Sequence, residues 1–122
     1  MKQGIVLFGH GSRNPAWAEP FQSLRKEIER QQPEARVELG FLELMEPSLP
    51  DAIGRLAAGG AEEVVVVPLF ISAGSHVRED LPELIAAARA AHPGLQVRTV
   101  PSLGEAPEML AAMARYALQA AD

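Results

Sequence analysis

Three short stretches of this chain carry side chains that could do chemistry together. The first is FGHGSR, residues 8–13, where His10 stands between Gly9 and Gly11 directly after the apolar run IVLF. Glycines in such a place remove bulk and let the backbone approach something closely. The second, FLELMEPSL, carries Glu43, and the third, PLFISAGSHVREDLP, carries His76. Taken alone, His10 could bind a phosphate, attack a substrate or hold a metal. Two imidazoles and a carboxylate at one edge would suit a borderline divalent ion such as Co²⁺, Fe²⁺, Ni²⁺ or Zn²⁺. So few protein ligands would leave coordination positions open, which favours chemistry or ion transfer over a structural site.

Each of these residues also has an ordinary use. His76 could sit in a Ser-type turn, and Glu43 could be a solvated carboxylate after a strand. His92, before Pro93-Gly94, suits the C-terminal end of a helix and is read as structural. Met109 and Met113 lie at helical spacing and are read as packing. Glu79 and Asp80 are read as first-turn acids that complement a helix dipole. Other chemistries of the glycine loop are excluded by sequence. GHGSR lacks the GK[ST] ending of a Walker loop and the GxGxxG dinucleotide pattern. Gly9 stands where an RHG-type phosphohistidine site needs arginine, and no G-x-S-x-G elbow occurs.

The elements that must position these residues follow from apolar patterning. Residues 4–8, GIVLF, form a continuous apolar run, as expected of a strand buried on both faces. Asn14-Pro15 starts a helix over residues 16–31, with Trp17, Phe21, Leu24 and Ile28 at helical spacing, and Pro33 stops it. Residues 36–42 read as a second strand. Pro47-Ser48 opens a short helix with Leu49, Ile53 and Leu56 on one face, closed by Gly59-Gly60. Residues 63–71, EVVVVPLFI, are the most apolar strand and are placed centrally. SAGSHVRED reads as a loop. A helix with Leu81, Leu84 and Ile85 follows, ending near His92. Residues 95–100 make a fourth strand, and Glu105–Ala120 a final helix with Met109, Leu110, Met113 and Tyr116 on one side.

Strands alternating with helices predict a parallel sheet with right-handed crossovers. The expected fold is a single-domain, doubly wound, flavodoxin-like α/β unit of order 2-1-3-4, with helices on both faces. Such sheets bind ligands beyond the carboxyl ends of their strands, at the switch point between strands 1 and 3. In that order His10, Glu43 and His76 leave three adjacent strands, roughly 4.8 Å apart. The length of 122 residues suits one domain over 1–122. A net charge of −5 without a Lys/Arg stripe argues against nucleic acid. The absence of cysteine excludes disulfides, thiolate metal sites and cysteine nucleophiles. The N-terminal apolar run is too short for a signal peptide or a membrane span, so a soluble, cytoplasmic protein is expected.

In length and in the order of the three stretches, the chain resembles the short-form class II chelatases, the CbiX-type sirohydrochlorin chelatases. That resemblance implies insertion of a divalent metal into sirohydrochlorin, toward cobalamin with Co²⁺ or sirohaem with Fe²⁺; related short forms insert Ni²⁺. It implies that His10 and His76 are metal-binding histidines and that Glu43 is the assisting acid, with Glu46 close by. It implies no cofactor beyond the metal substrate. Long forms carry two such domains in tandem, which implies that a short form pairs as a homodimer. The implied substrate is a large, flat polycarboxylate, so Ser12, Arg13, Ser72, Gly74, Ser75 and Arg78 become candidates for holding its acid arms. Two other readings stay open: a non-enzymatic metal-delivery domain using the same His-His-Glu set, and a flavodoxin-like phosphate-binding or response domain.

Overall fold

Short runs of valine, leucine and phenylalanine with few charges make the strands of this protein. The computed structural model describes residues 2–122; Met1, the first residue of the expected 1–122 span, lies outside the described residues. Strands β1 (Gln3–Gly9), β2 (Arg36–Phe41), β3 (Glu63–Pro68) and β4 (Gln96–Thr99) form one parallel sheet. Its order is β2-β1-β3-β4, as the alternation of elements predicts. Register is set by apolar neighbours: Leu7 pairs with Leu39 on one side and Val67 on the other. Shifting a strand by one residue would turn its buried set to the opposite face.

Helices α1 (Glu19–Gln31), α2 (Leu49–Ala58), α3 (Ser75–Ala91) and α4 (Pro107–Ala120) connect and follow the strands. Their starts are chemically marked. Asn14 Oδ1 accepts from the Ala16 N–H at 3.1 Å, with Pro15 opening a 3-10 turn, Pro15–Ala18, ahead of α1. Ser48 Oγ accepts from the Asp51 N–H at 3.2 Å and caps α2. The Gly59–Gly60 exit from α2 uses a left-handed φ of +95° at Gly60.

The sheet carries apolar side chains on both faces. On one face Val6, Phe8, Val64 and Val66 meet Leu49, Ile53 and Leu56 of α2 and Val77, Ile85 and Ala88 of α3. On the other, Leu7, Val37, Leu39 and Phe41 meet Phe21 and Ile28 of α1. Each fully buried side chain of this size contributes about 1.5–3 kcal/mol. Helix α4 stands apart: it packs mainly against the 3-10 turn Leu103–Glu105 before it and buries none of its own residues. Among the described residues no helix is long and apolar enough to cross a membrane.

Three expectations are corrected. SAGSHVRED is not wholly loop, because α3 begins at Ser75, so His76 sits in the first helical turn. Gly74 is the N-cap with extended backbone, and the Arg78 N–H donates to its carbonyl at 3.0 Å in the first helical bond. Glu79 and Asp80 consequently fall in the second turn rather than the first. Strand β3 ends at Pro68 rather than Ile71, since proline has no N–H to continue a ladder. The 16–31 helix is divided, with Trp17 in the 3-10 turn and regular helix only from Glu19. His92 does terminate α3, its N–H bonded to the Ala88 carbonyl at 3.0 Å.

Ile53 is 1% exposed in the middle of the α2 face. Ile53→Ala is expected to cost about 2–5 kcal/mol, seen in urea as a lower midpoint with an unchanged slope. An unaltered midpoint would mean that α2 does not seal this face.

Candidate functional site

The two glycines around His10 are required by the chain itself. A Cβ on Gly9 would lie 2.5 Å from the Phe21 ring. Gly11 has a φ of +101°, and a Cβ there would fall 1.8 Å from the Glu43 carbonyl oxygen. Gly9 thus admits the Phe21 ring, and Gly11 the backbone of the neighbouring loop. Beyond the strand ends the pairing continues: Leu42 N–H donates to Gly9 O at 3.0 Å, and Glu43 N–H to His10 O at 3.1 Å. This backbone seam carries Glu43 to His10.

The side chains meet accordingly, with His10 Nε2 3.2 Å from Glu43 Oε1. Glu43, not Glu46, is the carboxylate on His10. The spacing suits one divalent ion held between them. Metal bonds of about 2.1 Å place neighbouring ligand atoms roughly 3.0 Å apart at a right angle and roughly 3.4 Å apart at a tetrahedral one. The phosphate reading of the loop is weakened by the same contact, because a carboxylate occupies the space an anion would need beside the imidazole.

His76 is delivered by α3 and is 84% exposed. Its Nδ1 lies 3.1 Å from Oδ2 of Asp80, one helical turn on. The structure thus does not gather the three expected ligands: at one sheet edge His10 pairs with Glu43, while His76 pairs with Asp80, which was read as a helix-dipole acid. Among the described residues no three His, Cys, Asp or Glu side chains stand close enough together to hold a metal ion. The edges are adjacent, since Leu69 N–H donates to Phe8 O at 2.9 Å where β1 and β3 end.

The candidate substrate residues divide by their contacts. Ser12 Oγ accepts from the Asn14 N–H at 3.1 Å and shapes the turn. Arg78 Nε donates to the Ala73 carbonyl at 2.9 Å, and its Nη2 lies 3.6 Å from Glu105, so it braces the loop before α3. Arg13, Ser72, Gly74 and Ser75 are exposed. Nothing lies within 4 Å of a Cβ built on Gly74, which leaves open space over the start of α3. On α1, Arg30 and then Gln31 hold the Glu27 carboxyl below its ordinary range.

Three residues near this edge were not singled out for function by sequence reasoning: Asp80, Leu44 and Ile71. A His-x-x-x-Asp spacing would have revealed Asp80 once the segment was read as helix. Leu44, next to Glu43, holds a left-handed φ of 67° and is 53% exposed. That conformation costs a non-glycine residue about 1–2 kcal/mol, and such outliers gather at functional sites. Ile71 is 70% exposed on the β3–α3 connection. Leu44 and Ile71 carry no such spacing: a left-handed φ at a leucine and an exposed isoleucine after an apolar run both go against what the residue types favour. A cleft of about 240 Å³ adjoins the start of α3, lined by Val77, Leu81, Val100 and Ser102 among others. Two larger grooves, about 410 and 460 Å³, are not lined by His10, Glu43 or His76.

Fold and site together define a doubly wound α/β protein whose carboxyl edge presents an open, candidate divalent-ion crevice. The CbiX family model matches residues 4–120, and the chain belongs to the CbiX family. A sirohydrochlorin cobaltochelatase of Methanothermobacter thermautotrophicus is 39% identical over 84 residues, 69% of this chain and 58% of the relative. Another from Saccharolobus solfataricus is 38% identical over 82 residues, 67% and 62% of the two chains. The chain spans less than two-thirds of the length of these curated relatives. Among solved structures, a CbiX protein from Marinobacter aquaeolei VT8 superposes with a TM-score of 0.83 at 32% identity, covering 98% of this chain and 94% of that one. The cobalt complex of the sirohydrochlorin chelatase SirB from Bacillus subtilis subspecies spizizenii gives 0.70 at 32% identity, covering 84% and 44%.

Gly11→Ala should destabilise the fold by at least about 2 kcal/mol and weaken Co²⁺ binding by pushing Glu43 from His10. Urea denaturation and isothermal titration with cobalt would measure both. Wild-type values for the two would show that the close approach does not position the pair.

Proposed function

We propose that this chain is a sirohydrochlorin chelatase, inserting Co²⁺, Fe²⁺ or Ni²⁺ into the tetrapyrrole, with residues 1–122 acting as one chelatase-like domain. The observation that carries the reading is the His10–Glu43 pair, 3.2 Å apart, at the carboxyl edge beside the strand that leads to His76. Cobalt stands first because the curated relatives are named for it. His10 and His76 act as ligands and proton acceptors, and Glu43 balances charge and assists. The metal enters as substrate, and the reaction needs no other cofactor.

The chemistry is an exchange: one divalent ion enters the ring and the two pyrrole N–H protons leave. A neutral imidazole can hold the ion and can also take a proton. The half-exposed side chains of His10 and Glu43, at 46% and 51%, support moderate holding, which lets the ion pass on to the macrocycle. Leu44 and Ile71 offer apolar surface to the flat ring. Ser12, Arg13, Ser72, Gly74, Ser75 and Arg78 line the loops that would meet its carboxylates, with the free N–H groups at the start of α3. In this reading the work is cytoplasmic biosynthesis without nucleic acid or membrane, in keeping with a net charge of −5.

The absorbance of sirohydrochlorin, followed anaerobically with each metal, tests this directly. Metallation is expected to exceed the uncatalysed rate and to fall at least about 100-fold in a His10→Ala/His76→Ala variant. A folded protein that binds cobalt without accelerating metallation would instead be a metal-delivery domain, a reading favoured by the 84% exposure of His76.

A second copy of the chain completes the site in this reading. The cleft of about 240 Å³ beside α3 falls short of the roughly 300–1,000 Å³ usual for ligand pockets. Helix α4 buries none of its residues and leaves Leu110, Tyr116 and Leu118 between 50% and 77% exposed, apolar surface that a second copy would cover. Sedimentation at micromolar concentration should find a homodimer; a fully active monomer would overturn it.

A further inference from the structure

Asp80 has no place in the chemistry described so far, yet it holds the most direct contact to His76. Its Oδ2 lies 3.1 Å from Nδ1, and the two residues stand four apart on the same face of α3. We propose that Asp80 is a positioning residue, which accepts a hydrogen bond from His76 Nδ1–H and leaves Nε2 as the metal-binding nitrogen. This rests on the reading of His76 as a ligand.

An ionised carboxylate can only accept hydrogen bonds, so the ring nitrogen facing it carries the proton. In the neutral ring the other nitrogen, Nε2, then holds the free lone pair. Carboxylates that orient a ligating histidine in this way fix both tautomer and ring direction. The need is greater here than at His10. His10 has a partner on a second loop, with Glu43 Oε1 at 3.2 Å from its Nε2. His76 is 84% exposed, and Asp80 is the group that restrains its ring. An unrestrained surface imidazole would spend rotamer freedom each time it bound an ion. The two histidines are consequently set differently. The carboxylate at His10 faces Nε2, the nitrogen that an ion shared with Glu43 would use. At His76 the carboxylate faces Nδ1, and Nε2 is already open.

The test begins without metal. Long-range ¹H–¹⁵N correlation spectra of the imidazoles, at a pH where the rings are neutral, report the tautomer of His76 in the full chain, with His92 as an internal control. The wild type should show the Nδ1–H form. Asp80→Ala should move His76 toward the Nε2–H form, and Asp80→Asn, whose amide oxygen still accepts, should largely keep the wild-type pattern. Cobalt titration of the same proteins should show affinity falling about 10–100-fold in Asp80→Ala and mostly rescued in Asp80→Asn. A wild-type His76 in the Nε2–H form, or a tautomer indifferent to Asp80→Ala, overturns the proposal. Cobalt affinity lost in His76→Ala but unchanged in Asp80→Ala overturns Asp80 alone. Affinity unchanged in His76→Ala removes His76 as a ligand, and with it the purpose assigned to Asp80.

Discussion

The carbonyl oxygen of Glu43 occupies the space where a β-carbon on residue 11 would be, 1.8 Å away. Because Gly11 has none, the loop after β1 and the loop after β2 can lie against each other. Two N–H groups, of Leu42 and Glu43, then extend the β1–β2 pairing past the ends of the strands. The rest of the site depends on that seam. It brings a carboxylate and an imidazole from separate loops into contact at an exposed edge, where neither burial nor a closed cavity would hold them. Gly9 serves the same end from below, since its lack of a side chain admits the Phe21 ring that fastens α1 under the strand.

Rigidity and openness are divided between the two sides of this edge. His10 and Glu43 are tied by backbone hydrogen bonds to the central strand, whose residues 6–9 are buried. His76 rides on the first turn of α3, braced by the Arg78 contact with the Ala73 carbonyl and by Glu105 across the cleft. Gly104 packs against the Ile71 backbone so closely that a β-carbon would fall 1.7 Å from its carbonyl oxygen. The turn before α4 and the loop before α3 are thereby joined, which couples the helix that buries none of its residues to the loop that leads to His76. A ligand with two faces and many acid groups would meet a firm floor on one side and a helix-borne imidazole on the other.

Much of this was legible beforehand because it follows from local patterning. The run GIVLF marks a strand with both faces buried, and Ser48 and Asn14 mark helix starts through side chains that reach their own backbone. Four strands alternating with helices leave few topologies once crossovers are right-handed. That placed His10, Glu43 and His76 on adjacent strand ends. The segment SAGSHVRED was misread because its glycine and serines favour turns, whereas a helix start uses the same residue types at its cap. Misplacing that boundary hid the His76–Asp80 pair, which exists only at helical spacing.

By itself, then, the sequence determined the order of elements, the parallel sheet and the edge at which the reactive side chains emerge, since these rest on periodicity and chain direction. The tertiary structure alone decided the partners: Glu43 over Glu46 for His10, Asp80 for His76, and the left-handed turn at Leu44. The first depends on how two loops far apart in the chain lie against each other, and the second on where α3 begins, since His76 and Asp80 meet only when both are helical. The pairing of Glu43 with His10 is set by which backbone atoms can touch, as at Gly11, and no pattern of residue types along one strand or helix records it.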